Sequence, residues 1–466
     1  MVIGTLADEL TRGVGRVGDT IGEAFQPVVR LGVTGLSRAG KTVFITSLVA
    51  NLLDRGRMPG LTAAAEGRIE AAYLQPQPDD AVPRFDYERH LAALTAAAPH
   101  WPEGTRAISQ LRLSLRVRPT GLLAGLSGPR IVHLDIVDYP GEWLLDLGLM
   151  GLDYDAWAEG VLARLTTRPE PEAAAYLAAA RDAQGARDWG EPEAQALAAR
   201  YTEALAAMRG AGLSDTSPGR FLMPGEMAGS PALTFAPLPR EAEAPRRGLR
   251  REMARRFEAY KARVVRPFFR DHFARIDRQV VLVDALEAVA HGPAALADLS
   301  RTMSEVLGAF RPGTNTFLSQ ILRGRRVERI LFAATKADHL HHGQHPRLAA
   351  LMEALLRQAR DRAQYAGAET RAMAIASLRA TTEETREHAG TRHDLVRGRL
   401  TDGRQVAVSP GALPEDPAQL LGATDWQAGD YAAPRFAPAP LTLRPGEGPP
   451  HIRLDRAAQF LIGDRL

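Results

Sequence analysis

The chain has no cysteine, which excludes disulfides, Cys-ligated zinc, iron–sulfur clusters and thiol catalysis and fits a reducing compartment. Lysine is almost as scarce. Lys and Arg together number 58, and only Lys41, Lys261 and Lys336 are lysine, so 55 are arginine. No apolar run is long enough to span a bilayer. Asp8, Glu9, Asp19 and Glu23 break the amino terminus where a secretory signal needs an apolar stretch, so a cytoplasmic location is expected. A formal net charge of only +3 does not demand a polyanionic partner, and nucleic acid is not an expected ligand. The 466 residues, 45% hydrophobic and 24% charged, exceed one ordinary core, so two units or one domain with a large insertion is expected.

Arg is a planar fork and Lys a compact point charge on a flexible stem. A chain that writes Arg almost everywhere keeps Lys where local chemistry needs it. Lys41 lies in Gly35-Leu36-Ser37-Arg38-Ala39-Gly40-Lys41-Thr42, a complete phosphate-loop pattern. An apolar segment, Val28 to Thr34, runs into it, and Val43, Ile45, Leu48, Val49, Leu52 and Leu53 follow at helical spacing. Strand, loop and helix together form the context in which backbone N–H groups and a helix N-terminus cradle phosphates. Gly35, Ser37, Arg38, Ala39, Gly40, Lys41, Thr42 and Val43 are the candidate phosphate-binding residues, with Thr42 offering its hydroxyl to Mg²⁺. Arg38 reads as an outward charge or a contact across a homodimer rather than an arginine finger.

Ile131 to Val137 reads as a strand ending at Asp138-Tyr139-Pro140-Gly141. Asp138 is the expected metal carboxylate, preferred to Asp135 because only Asp138 continues as Asp-x-x-Gly. Gly141 is expected to meet the γ-phosphate and flex when it leaves. Its neighbour Ile108–Val117 alternates Leu and Val with Arg and Ser, a half-exposed strand. Thr335-Lys336-Ala337-Asp338 follows the strand Arg329–Ala334. In such an element the Asp accepts two hydrogen bonds from guanine, and adenine lacks that donor pair. Ser377 and Leu378, after the strand Arg371–Ala376, are candidates for the last contact to the base.

The organisation follows from these readings. Residues 1–27 carry an amphipathic helix (Leu6, Leu10, Val14, Val17, Ile21 and Phe25 on one face), and 28–145 form the first part of a nucleotide-binding domain. Residues 146–278 are an Ala-rich helical insertion, 279–385 resume the strand–helix alternation, and 386–466 hold a hairpin turning at Asp402-Gly403, an extended Pro-rich stretch and a closing helix. The fold expected is α/β, a P-loop three-layer arrangement with a mostly parallel sheet and a large helical insertion.

Three runs carry a resemblance: Gly35 to Phe44, Asp138-Tyr139-Pro140-Gly141-Glu142-Trp143-Leu144-Leu145-Asp146, and Thr335-Lys336-Ala337-Asp338-His339. On these the chain resembles the translation-factor-related GTPases and, more closely, the YcjX-like family. The resemblance implies a cytoplasmic GTP- and GDP-binding protein, Mg²⁺-dependent, linked to bacterial envelope stress. It also implies cooperation with a membrane protein, peripheral at the inner membrane. His339 joins the nucleotide-binding candidates through it. The residue after Asp-x-x-Gly is Glu142 rather than Gln. An ionised Glu accepts hydrogen bonds but cannot donate, so slow intrinsic hydrolysis is expected, with Lys41, Thr42, Thr105, Asp138, Gly141 and Glu142 as the candidate catalytic set. Thr105 is the candidate switch residue completing the Mg²⁺ shell. An ATP-using P-loop enzyme and a non-enzymatic, nucleotide-gated scaffold are the alternatives.

Two further features remain. Residues 246–278 carry twelve Lys and Arg against four acids, with Leu249, Met253, Phe257, Tyr260, Val264 and Phe268 at helical spacing and Pro267 near the end. The plain reading is a surface helix laid on the sheet, and the functional ones are a membrane-surface or nucleic-acid contact, or an Arg supplied in trans across a dimer. His339, His341, His342 and His345 are dense, and 341 and 345 have helical ligand spacing, but they follow a loop with no acid close behind, so no metal is assigned to them.

Overall fold

The computed structural model describes residues 26–35, 39–104, 107–120, 128–184, 189–240, 248–308, 327–357, 368–388, 390–421, 426–427 and 430–466. Most of the expected amino-terminal helix, and Ser37, Arg38 and Thr105, lie outside them.

The elements follow in order: β1 (Val28–Gly35), α1 (Lys41–Leu53), β2 (Ile69–Gln75), α2 (Tyr87–Thr95), β3 (Ser109–Val117) and β4 (Arg130–Asp138). The helices α3 (Tyr154–Thr166), α4 (Pro171–Asp182), α5 (Glu191–Gly210), α6 (Leu249–Tyr260) and α7 (Arg266–Asp271) then intervene. The chain returns through β5 (Arg278–Val283), α8 (Ala285–Ala290), α9 (Pro293–Gly308), β6 (Arg329–Ala334), α10 (His345–Leu355) and β7 (Glu369–Ala374). It ends with β8 (Thr382–His388), β9 (Thr391–Arg399), β10 (Gln405–Val408) and α11 (Leu454–Ile462).

Seven strands form one sheet in the order β2-β3-β4-β1-β5-β6-β7. The five from β4 to β7 are parallel, and β3 runs antiparallel to both of its neighbours. Strands of a parallel sheet covered on both faces read as near-continuous apolar runs, and every residue of β5 is buried, with Arg278 and Gln279 ahead of its apolar run Val280–Val283. The pleat divides them. Val280 and Leu282 pack with α1 and α11, whereas Val281 and Val283 pack with the helices inserted after β4. The chain is thus three-layered α/β, of the P-loop type.

The polar positions of β3 are not simply solvated. Arg112 lies opposite Asp135 and Ser114 opposite His133. Arg112 makes a bidentate pair to Asp135 at 2.6 and 2.8 Å, and Ser114 Oγ is 2.8 Å from His133 Nδ1. Such cross-strand pairs satisfy both partners on a covered face.

The basic segment differs from its expected place. Leu249, Met253, Phe257, Tyr260, Val264 and Phe268 are all buried, but chiefly against aromatics of the insertion rather than on the sheet. Phe257 stacks on Trp157 at 4.8 Å between ring centroids, and Tyr260 meets Phe235 at 5.3 Å. These aromatics belong to the same continuous core as Val281, Val283 and Phe332 on that face of the sheet. Pro267 cannot donate to the carbonyl four residues back, and the chain accommodates it with a π-helical turn at Lys261–Val265.

A second sheet, β10-β9-β8, contains the expected hairpin, with Gly403 in the left-handed region at φ 93°. Its third strand, β8, was not foreseen and crosses the expected boundary at 385, because Thr-Glu-Glu-Thr-Arg-Glu-His carries no apolar alternation. Among the described residues, no helix is long and apolar enough to cross a membrane.

Candidate functional site

Strand order reverses at β1: the chain leaves it for β2, β3 and β4 on one side and later fills the other with β5, β6 and β7. In open α/β sheets the crevice at the carboxyl ends of the strands beside such a point is where ligands bind. The phosphate-loop sequence lies there. Gly35 ends β1, and a Cβ on it would meet the Leu282 carbonyl oxygen at 2.5 Å. Only glycine lets β1 and β5 approach this closely. Gly40 sits at φ 82°, which L side chains rarely adopt, and α1 starts at the next residue. Lys41 is buried, and its ammonium donates to the Gly35 carbonyl at the end of β1 at 2.9 Å.

Gly40, Lys41, Thr42 and Val43 share a cavity of about 450 Å³ with Thr335, Lys336, Asp338, His339, Ser377 and Leu378. Segments far apart in the chain therefore meet in one space large enough for a nucleotide-sized ligand. Lys336 has φ 59°, an uncommon conformation for a side chain of its size. It directs its ammonium onto Asp284, which also caps α8 by accepting from the Glu287 amide at 3.1 Å. Asp338 is buried and held at both its side chain and its backbone by one segment. Its Oδ2 accepts the Ala380 N–H at 2.8 Å, and its carbonyl accepts the Thr381 hydroxyl. His339 is enclosed, and burial pushes its pKa below the usual range, so the ring is neutral at pH 7.

Thr42 and Asp138 line an adjoining cavity of about 670 Å³, which shares Thr42, Trp101, Pro102 and Gly104 with the first. Thr42 Oγ1 donates to the Glu103 carbonyl at 3.4 Å, and Asp138 is buried at the end of β4, level with Val33. A hydroxyl and a carboxylate are the hard oxygen donors that Mg²⁺ takes. Asp135 lies three residues earlier, engaged by Arg112. Gly141 and Glu142 are buried in a 3-10 turn, and neither lines these two cavities. Glu142 instead faces a third space of about 410 Å³, with Arg209, Thr216, Asp284 and His291. Its Oε2 has no hydrogen-bond partner among the described residues.

Sequence reasoning missed Trp101, Glu287, Thr401, Arg435 and Phe436, which complete the first cavity. The Trp101 indole donates to the Phe436 carbonyl at 2.7 Å, and Phe436 stands edge-on to His339 at 5.0 Å. Two isolated aromatics in Pro-rich stretches were the available signal.

Gly-rich turn, Lys-Thr helix start and a strand-end carboxylate around the switch point of a parallel sheet define the P-loop α/β class. Within it, the chain belongs to the YcjX-like family: the family described as "YcjX-like family, DUF463" matches residues 29–466. It is 36% identical over 451 residues to the "Ras-like GTPase YcjX" of Escherichia coli (strain K12), covering 94% of this chain and 96% of that one. It is 34% identical over 462 residues to the protein of the same name from Shewanella oneidensis, covering 94% of each.

Proposed function

We propose that the chain binds GTP with Mg²⁺, hydrolyses it slowly and changes conformation with the state of the nucleotide. One observation carries this reading: the phosphate-loop residues 40–43 and the base-reading residues Thr335, Lys336 and Asp338 line a single cavity. Two relatives named as Ras-like GTPases over nearly their whole length support it. Lys41 would leave the Gly35 carbonyl for the β- and γ-phosphates. Thr42 and Asp138 would hold Mg²⁺, which when bound neutralises charge between those phosphates. Asp338 would accept from guanine, and a carboxylate oxygen that already takes the Ala380 amide has further acceptor capacity. Lys336 lays its stem along the base while Asp284 anchors its charge. Slow turnover follows from the chemistry of a Glu in place of Gln, and from Glu142 lying outside the cavity that holds Lys41. The switch would involve Gly141 and the segment holding Thr105. A role in bacterial envelope stress, beside a membrane-associated partner, is the physiological setting that the family resemblance suggests.

Mass spectrometry of nucleotide released from native purified protein tests the reading, followed by competition of GTP against ATP. Guanine nucleotide released, and GTP preferred by at least about tenfold, is the expected result. Adenine nucleotide, or none with no GTP binding on addition, overturns it.

A further inference from the structure

A second set of donors lies behind the base-reading turn, outside the cavities described above. His341 and His342 follow that turn, Glu383 is in β8 and Asp394 in β9. One donor atom from each of His341, His342 and Glu383 lies within 4.8 Å of the others. His342 Nδ1 is 2.5 Å from Glu383 Oε2, and His341 Nε2 is 3.6 Å from that same oxygen. The other ring nitrogen of His341 faces Asp394 Oδ2 at 3.8 Å. The Gly343 amide also reaches His341 Nδ1, but at the limiting length of 3.5 Å. Arg379 approaches the other Glu383 oxygen, Oε1, at 3.4 Å and so leaves Oε2 to the histidines. His345, at helical spacing from His341, is turned away and bonded to the Ala337 carbonyl at 2.8 Å.

We propose that His341, His342 and Glu383 bind one divalent transition-metal ion of the Zn²⁺ class. Two imidazoles and a carboxylate form a borderline donor set that suits Zn²⁺ and disfavours Mg²⁺. Solvent can complete the shell, because His342 is 69% exposed. The ion would also act on the neighbouring pocket. His341 is three residues beyond Asp338, and Glu383 is two beyond Thr381, whose hydroxyl bonds the Asp338 carbonyl. The metal would staple together the two segments that hold the Asp338 carboxylate. This consequence rests on the guanine-site reading, whereas metal binding itself does not.

The test uses full-length protein without a polyhistidine tag, stripped with chelator and titrated calorimetrically with ZnCl₂, with metal content measured after desalting. One Zn²⁺ per chain should be retained, and MgCl₂ should not compete. His342→Ala and Glu383→Gln should each weaken Zn²⁺ binding at least about tenfold, while Lys41→Ala leaves it unchanged. Loss of the metal on desalting, or equal affinity in wild type and both variants, overturns the proposal. Zn²⁺ should also tighten GTP binding in wild type and have no such effect in His342→Ala. Zn²⁺ bound at these residues without any GTP binding would defeat the nucleotide reading and leave the metal site standing. GTP binding without retained Zn²⁺ would do the reverse.

Discussion

Asp338 does two jobs with one carboxylate. It ties its turn to the segment at residues 380–381, and under the proposed function it selects the base. Asp338→Asn keeps an acceptor for the Ala380 amide but loses the charge that guanine's paired donors would meet. Charge-assisted hydrogen bonds are worth about 1.5–3 kcal/mol, so GTP affinity should fall roughly 10- to 100-fold with little effect on ATP. Equilibrium titration with fluorescent analogues of both nucleotides checks this. Glu142 presents the opposite case. It carries the position usually given to water placement, yet it faces the third cavity with one oxygen unpartnered. Glu142→Ala should therefore leave single-turnover GTP hydrolysis within about threefold of wild type, less than about 1 kcal/mol of barrier. A large loss of turnover with unchanged binding would make Glu142 the catalytic group.

At the scale of elements, the insertion is joined to the sheet through the turn after β4. Asp146 is buried there, accepting from the Tyr260 hydroxyl at 2.6 Å and the Gly219 amide at 2.8 Å. Burial raises its pKa from 3.8 to about 6, the hydrogen bonds from Tyr260 and Gly219 opposing the rise. The folded state therefore binds more protons than the unfolded one between these values, and stability falls as pH rises through that window. The shift corresponds to roughly 3 kcal/mol. Asp146→Asn keeps the shape without the ionisation. Its stability relative to wild type should rise between pH 4 and pH 6.5 and level off above, as read by denaturant melts at a series of pH values. The neighbouring basic helix has much of its formal charge engaged: Arg256 pairs with Glu191 and Glu252, Arg255 with Glu252, and Arg250 with Asp155. Its apolar stripe is already buried in the insertion, so a membrane surface would meet charge without that stripe.

For the whole molecule, the carboxyl terminus closes the structure. Leu454, Ala457, Phe460 and Leu461 of α11 are buried on the face shared with α1. The guanidinium of Arg278 is fully buried between Asp464, at 2.8 Å, and Glu328, and it also donates to the Leu461 carbonyl at 3.0 Å. The last turn is thereby locked to the amino-terminal ends of β5 and β6, opposite the cavity lined by Lys41 and Asp338. Phe460→Ala should cost about 3–5 kcal/mol in unfolding free energy through lost burial and a residual cavity. Nucleotide affinity at 20 °C should stay within about twofold, because the site lies at the other end of the strands. Urea denaturation and a binding titration on the same sample check both halves.

The sequence by itself determined the parts set by nearest neighbours along the chain. The phosphate loop between Val28–Thr34 and a helix, the strands before Asp138 and Thr335, the hairpin at Gly403 and the terminal helix all rest on local periodicity and turn chemistry, which a short window contains. Only the tertiary structure decided which strands lie beside β1, that β8 joins the hairpin, that Trp101 and Phe436 line one cavity with Thr335, Lys336 and Asp338, and that Glu142 lines a different cavity from Lys41. The same holds for Glu383, which supplies the acid that the histidines lack within their own stretch of chain. These are meetings of segments tens to hundreds of residues apart. They are fixed by the packing of whole layers and by burial shared among distant side chains, a sum that no local pattern of residues encodes.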